Sequence, residues 1–193
     1  MLRNLSFQYH APQSVWIAGA NGRGKSTLLA LMSGIISPEK GHITFFKDHK
    51  SVSPEIWRHL IAFAAPYQSL PDWLTVEEII HFQSAFRPWH PALTAHDIPA
   101  LCRLERHRHQ RLHALSSGMR QRLRLALAWA MDSQVLLLDE PCAHLDAEGE
   151  NWYLSLYEML GAHKLILVAS NNTPAERAFC TEKLDLDTMS LSD

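Results

Sequence analysis

Short apolar runs alternate with longer stretches of helical periodicity along this chain. Ser14–Ala18 is an apolar run that stops at Gly19, and residues 135–138 and Leu165–Ala169 are continuous apolar runs. A run with no polar alternation suits a parallel strand buried on both faces. Lys25–Ser33 carries Leu28, Leu29, Leu31 and Met32 at helical spacing, with Gly34 as its stop. Residues 42–46 read as a strand after the turn at residues 38–41. Thr75-Val76-Glu77-Glu78 is a capping box, in which the threonine caps an amide and Glu78 reaches back to it. The helix it opens carries Val76, Ile79, Ile80 and Phe86. Beyond Pro88 and Pro91, residues 94–104 read as another helix, and Ser116 or Ser117 caps one that runs to Met131. Strands alternating with helices predict an α/β fold with a parallel sheet. The helix-rich residues 68–115 predict a helical lobe inserted into a core of about residues 1–67 and 116–193.

Composition narrows the class. A chain of 193 residues with 47% hydrophobic and 20% charged positions is one globular domain and not a disordered chain. The longest apolar run, residues 125–131, falls far short of the roughly 20 residues a membrane-spanning helix needs. The first residues lack the apolar segment of a signal peptide. Cys102, Cys142 and Cys180 are odd in number and widely spaced, which suits a reducing cytoplasm better than a disulfide framework. The net charge of −2 is uneven, with seven of 12 arginines between Arg103 and Arg124. Such a cluster fits a solvated helical face or a patch for an acidic partner. It also fits nucleic acid, although His107, His109 and His113 interleave it instead of stacking aromatics.

Gly19-Ala20-Asn21-Gly22-Arg23-Gly24-Lys25-Ser26 matches G-x-x-x-x-G-K-[ST] at every fixed position, between a predicted strand and a predicted helix. Glycines let the backbone curl until its N–H groups cradle anionic oxygens, and the following helix adds its positive end. Lys25 would reach the β- and γ-phosphates of a nucleotide, Ser26 would ligate Mg²⁺, and Thr27 would be a second polar contact to phosphate. The candidate phosphate-binding residues are therefore Gly19, Asn21, Gly22, Gly24, Lys25, Ser26 and Thr27.

Asp139-Glu140 closes the apolar run 135–138. Open α/β sheets place their ligands at the carboxyl ends of such strands. Asp139 would hold Mg²⁺, and Glu140 would polarise an attacking water. Taken alone the pair also fits a solvated strand end; with the phosphate loop upstream it reads as the metal and water site.

These motifs in this order resemble the nucleotide-binding domain of ATP-binding cassette (ABC) ATPases, over about residues 2–172. Leu115-Ser116-Ser117-Gly118-Met119 looks like the family's L-S-G-G-Q signature, and Ala143-His144-Leu145-Asp146 looks like its D-loop. The resemblance implies a P-loop NTPase core, ATP and Mg²⁺ as ligands, and a head-to-tail homodimer or heterodimer. In that dimer ATP lies between one subunit's phosphate loop and the Ser116 and Gly118 of the other. It implies Gln68 as a contact to Mg²⁺ and to an integral-membrane partner, and a cytoplasmic subunit held at the inner membrane face by that partner. It places Asn171 where the family has a switch histidine, so that Asn171 becomes a catalytic contact to the γ-phosphate. Asparagine carries neither a proton nor a positive charge there, which implies slow hydrolysis. The family's adenine-stacking aromatic has no clear counterpart, since residues 1–7 look like the strand after it. The function so implied is ATP hydrolysis powering a membrane transporter, with no nucleic acid expected. Two other functions compete: a soluble ABC ATPase acting on nucleic acid or ribosomes, and an ATP-dependent clamp that hydrolyses poorly.

Overall fold

The computed structural model describes residues 2–3, 5–171 and 173–189. Its elements run β1 (Ser14–Ala18), α1 (Lys25–Ser33), β2 (Phe45–Lys47), β3 (Lys50–Val52), α2 (Pro54–Leu60), β4 (Ile61–Ala64), α3 (Val76–Phe86) and α4 (Ile98–Leu101). They continue with α5 (Ser117–Ala130), β5 (Val135–Asp139), α6 (Ala147–Leu160), β6 (Leu165–Ala169), α7 (Pro174–Arg177), β7 (Glu182–Asp185) and α8 (Leu186–Met189). Five strands form one sheet in the order β4-β5-β6-β1-β7, and every neighbouring pair is parallel.

The apolar runs are continuous because both faces of this sheet are covered. Alternate residues of β4, β5 and β6 enter two separate cores. Val15, Ile17, Val135, Leu137, Leu165 and Leu167 pack on one side with Leu28 and Leu29 of α1 and Trp57 of α2. Leu136, Leu138, Ile166 and Val168 pack on the other with α5, α6 and α3. Burying a Leu or Ile side chain completely is worth about 1.5–3 kcal/mol, and Ile17, Leu136 and Leu137 are completely buried. Residues 68–115 add α3, α4 and two 3-10 turns, and Val76, Ile79, Ile98, Leu104 and Leu112 join the same core as α5 and α6.

The capping box at α3 forms as predicted: Glu78 donates its N–H to Thr75 Oγ1 at 3.2 Å, and Thr75 donates its N–H to Glu78 Oε2 at 2.8 Å. Of the strand expected over residues 1–7, the described residues 2–3 and 5–7 form none, and two other predicted elements change shape. Within 42–46 only Phe45 and Phe46 are strand, in the antiparallel hairpin β2–β3. The hairpin turns at Asp48 and His49, both at positive φ (51° and 62°), as a tight two-residue turn requires. The helix expected over 94–104 shrinks to α4. Asp97 accepts hydrogen bonds from the N–H and hydroxyl of Thr94, local bonds that compete with helix. At the other end Arg103 adopts φ 57°, and the Leu104 N–H returns to the Pro99 carbonyl at 2.7 Å, a left-handed stop.

Candidate nucleotide site

The strand order places β5, β6 and β1 side by side, so their carboxyl ends share one edge. Three loops leave that edge: residues 19–24 after β1, Glu140 onward after β5, and Ser170-Asn171 after β6. The first loop curls through positive φ at Gly22 (80°) and Gly24 (97°). A Cβ at Gly24 would stand 3.0 Å from the Leu2 side chain, in a backbone conformation that other residues rarely adopt. Gly24 is also the N-cap of α1 and supplies no side-chain cap, so the first amides of the helix meet the loop directly. Asn21 and Thr27 are exposed on the rim.

Lys25 is buried, and its ammonium donates to the Gly19 carbonyl at 2.7 Å and to the Ala20 carbonyl at 3.2 Å. The Ser26 hydroxyl lies near the Asp139 carboxylate and favours its ionised form. Asp139 is buried at the end of β5. Burial pushes its acid above the usual carboxylate range; the nearby Ser26 hydroxyl opposes the shift, the Glu140 charge adds to it, and the Lys25 charge opposes it. Glu140 follows at φ 43°, with its N–H on the Ala169 carbonyl at 2.9 Å. Asn171 donates its side-chain N–H to Glu140 Oε1 at 2.5 Å. Ser26, Glu140 and Lys25 all act on the charge of Asp139, and Asn171 bonds Glu140, so these five side chains form one electrostatically coupled group.

Ser116 and Gly118 belong to a second set of contacts. Ser116, not Ser117, caps α5 by accepting the Met119 N–H at 3.2 Å. A Cβ at Gly118 would meet the His144 carbonyl at 3.0 Å, so glycine lets the D-loop backbone lie against the helix start. One turn on, buried Gln121 donates to the Pro141 carbonyl at 2.8 Å and accepts from Arg124. Arg124 also donates Nε to the Gln68 carbonyl at 3.2 Å. The side chain of Gln68 turns back, its Oε1 accepting the Ala65 N–H at 3.1 Å. The hydroxyl of its neighbour Tyr67 is pushed up, first by burial and then by the charge of Asp139.

Sequence reasoning missed three residues at this edge. Arg124 ties the loop of Gln68 to α5. Asp187 accepts the Ala20 N–H at 3.1 Å and Arg23 Nε at 2.5 Å, bracing the phosphate loop from outside. Glu176 is a buried acid behind Ser170. Asp187 and Arg23 are too far apart in sequence for local pattern to pair them. No group of three or more His, Cys, Asp or Glu side chains that could hold a metal occurs among the described residues. A cation here would take its ligands from Ser26, Asp139 and the bound phosphates, a sparse oxygen set that fits Mg²⁺. No helix among the described residues is long and apolar enough to cross a membrane.

The family model for ABC transporters matches residues 2–143. The chain is 35% identical over 149 residues to the cytochrome c biogenesis ATP-binding export protein CcmA of Xylella fastidiosa, covering 77% of this chain and 66% of that protein. It is 31% identical over 188 residues to the sulfate/thiosulfate import ATP-binding protein CysA of Brucella melitensis, covering 90% of this chain and 51% of that protein. The matched region therefore spans about two thirds of one relative and half of the other. Among solved structures, a dimeric ATP-binding cassette in a post-hydrolysis state bound to ADP and Pi superposes with a TM-score of 0.81 at 23% identity, over 95% of this chain and 85% of that one. A subunit from Clostridium perfringens, part of an ABC transporter complex, superposes with a TM-score of 0.68 at 25% identity, over 90% and 72%. The parallel sheet with helices on both faces is thus the P-loop NTPase fold.

Proposed function

This chain belongs to the ABC transporter ATP-binding family, and from that premise we propose that it binds and hydrolyses ATP to power a membrane transporter. The carrying observation is the cluster of Lys25, Ser26, Asp139, Glu140 and Asn171 on adjacent strand ends. The curled backbone from Gly19 to Gly24 and the start of α1 would bind the phosphates. Lys25, now spanning two loop carbonyls, has an ammonium to transfer onto anionic oxygens. Ser26 and Asp139 would hold Mg²⁺, and when bound that ion neutralises charge on the β- and γ-phosphates. Glu140 would orient the attacking water and accept its proton. Asn171 would hold Glu140 and contact the γ-phosphate, and Gln68 would sense the metal from its loop.

The whole chain would act as one ATP-binding domain, with the lobe of residues 68–115 facing the membrane subunit. The working unit would be a homodimer or heterodimer of such subunits. Ser116 and Gly118 at the start of α5 would there close on the γ-phosphate held by the other copy. The chain would sit at the cytoplasmic membrane face through its partner. One relative is named an export protein and another an import protein, so the reading concerns the motor and leaves cargo to the membrane subunit. Within the arginine-rich stretch, Arg103 pairs with Glu148, and Arg124 donates to Gln68 and Gln121, so these two serve the fold.

Thermal melting with and without Mg-ATP tests the site. At ligand about 100 times its dissociation constant, binding to the folded state should add about 2.7 kcal/mol. Lys25→Ala should remove most of that gain. Equal shifts in wild type and mutant would refute the assignment.

A further inference from the structure

Glu176 lies on α7, just beyond Ser170 and Asn171, and is 3% exposed. Its two carboxylate oxygens serve two different loops. Oε1 accepts the Cys142 N–H at 2.9 Å. Oε2 accepts the Ser170 hydroxyl. Cys142 stands two residues after Glu140, and Ser170 stands immediately before Asn171. The buried Tyr153 hydroxyl donates to the backbone carbonyl of Glu176 at 3.4 Å, anchoring the residue to α6.

This clamp spans the two segments whose side chains meet at the reaction edge. Glu140 holds φ 43°, a left-handed conformation that costs a non-glycine residue free energy and persists only where the surroundings over-determine it. Its own N–H is fixed to Ala169, and the next fixed amide is that of Cys142, on Glu176. The strained turn is therefore pinned on both sides. An ionised carboxylate only accepts hydrogen bonds, so it matches two donors at once. Glutamine would present an N–H to one of them. The Glu176 acid is pushed up, first by burial and further by the Glu140 charge, against the Ser170 and Cys142 hydrogen bonds that pull it down.

We infer that Glu176 is a positioning residue for hydrolysis: by clamping the segments after β5 and β6 it holds Glu140 and Asn171 in register. This rests on the ATPase reading above. The test is single-turnover hydrolysis of γ-labelled ATP by the full chain at saturating Mg-ATP, with ATP affinity measured in parallel. The variants are Glu176→Gln, Ser170→Ala, Glu140→Gln and the double Glu176→Gln/Glu140→Gln.

Glu176→Gln should slow hydrolysis about tenfold while ATP affinity changes less than about twofold, the split of a group that acts after binding. In the Glu140→Gln background the same change should cost little more, because groups acting through one another are not additive. Ser170→Ala, which removes one arm of the clamp, should give a smaller loss of the same kind, and it carries the test if Glu176→Gln does not fold. An unaltered rate in Glu176→Gln, an equal loss in both backgrounds, or affinity falling in step with rate would overturn the positioning role alone. Absence of hydrolysis in wild type would overturn the ATPase reading, and the clamp's role with it.

Discussion

Asn171→His changes the one position where this site departs most in chemistry from the pattern its other motifs follow. Asn171 donates a neutral amide N–H to Glu140 Oε1 at 2.5 Å. An imidazolium in its place would make a charge-assisted bond to the γ-phosphate as charge develops there, roughly twice as strong as a neutral one. A neutral bond contributes about 1 kcal/mol net. The gain in the transition state is then about 1–2 kcal/mol, which is about fivefold to thirtyfold in rate. Asn171 is exposed, so solvent screening places the gain nearer the lower figure. The assay is phosphate release at saturating Mg-ATP for wild type, Asn171→His and Asn171→Ala between pH 6 and 8.5. Histidine should raise turnover, and its advantage should shrink as pH climbs through the imidazole pKa, about 6.5 when unperturbed. Alanine should lower turnover, because Glu140 loses its donor. A fast wild type that histidine leaves unchanged or slows would refute the reasoning and make Asn171 with Ser170 a complete substitute for the imidazole.

Arg124→Ala removes the bonds that join Gln121 to the Gln68 carbonyl and leaves buried Gln121 short of a donor. That should cost about 1–3 kcal/mol of stability by urea denaturation, although alanine is the better helix former. Buried Lys164 donates to the Met131 carbonyl and to the Ser133 carbonyl and hydroxyl, and burial lowers its pKa to about 8. Its folded pKa lies below the unfolded one, so the folded state sheds the proton first. Stability relative to Lys164→Met should therefore be flat below pH 8 and rise by about 3 kcal/mol toward pH 10.5; parallel melting curves across that window would contradict it.

The site's backbone was legible because its chemistry is local. A phosphate cradle needs glycines, Lys25 and Ser26 at fixed offsets on one loop, and Asp139-Glu140 sits beside the run that makes β5, so both can be read from contiguous residues. The buried central strands were legible for the same reason. The rest depends on distant partners. β7 is an edge strand whose sequence Glu182-Lys183-Leu184-Asp185 buries only Leu184, a pattern no different from a loop. β4 is four residues with two alanines, and it is a strand because β5 pairs with it. α6 did carry a signal, with Asp146 capping it and Trp152, Leu156 and Leu160 on one buried face. The choice between Ser116 and Ser117 as cap turns on backbone geometry. Glu176 and Arg124 gain their roles only when α7 and α5 meet the loops after β5 and β4, and a buried acid looks like any surface glutamate in a sequence.

The account's central claim is that Glu140 drives hydrolysis in a site that ATP closes between two subunits, and Glu140→Gln tests it most directly. The amide keeps the shape of the side chain and removes its charge. Hydrolysis should fall about 10²-fold or more if Glu140 is the base, while ATP binding persists. Light scattering of the purified mutant with ATP should then show a dimer that wild type does not accumulate. A mutant that hydrolyses as fast as wild type and stays monomeric in ATP would contradict the claim.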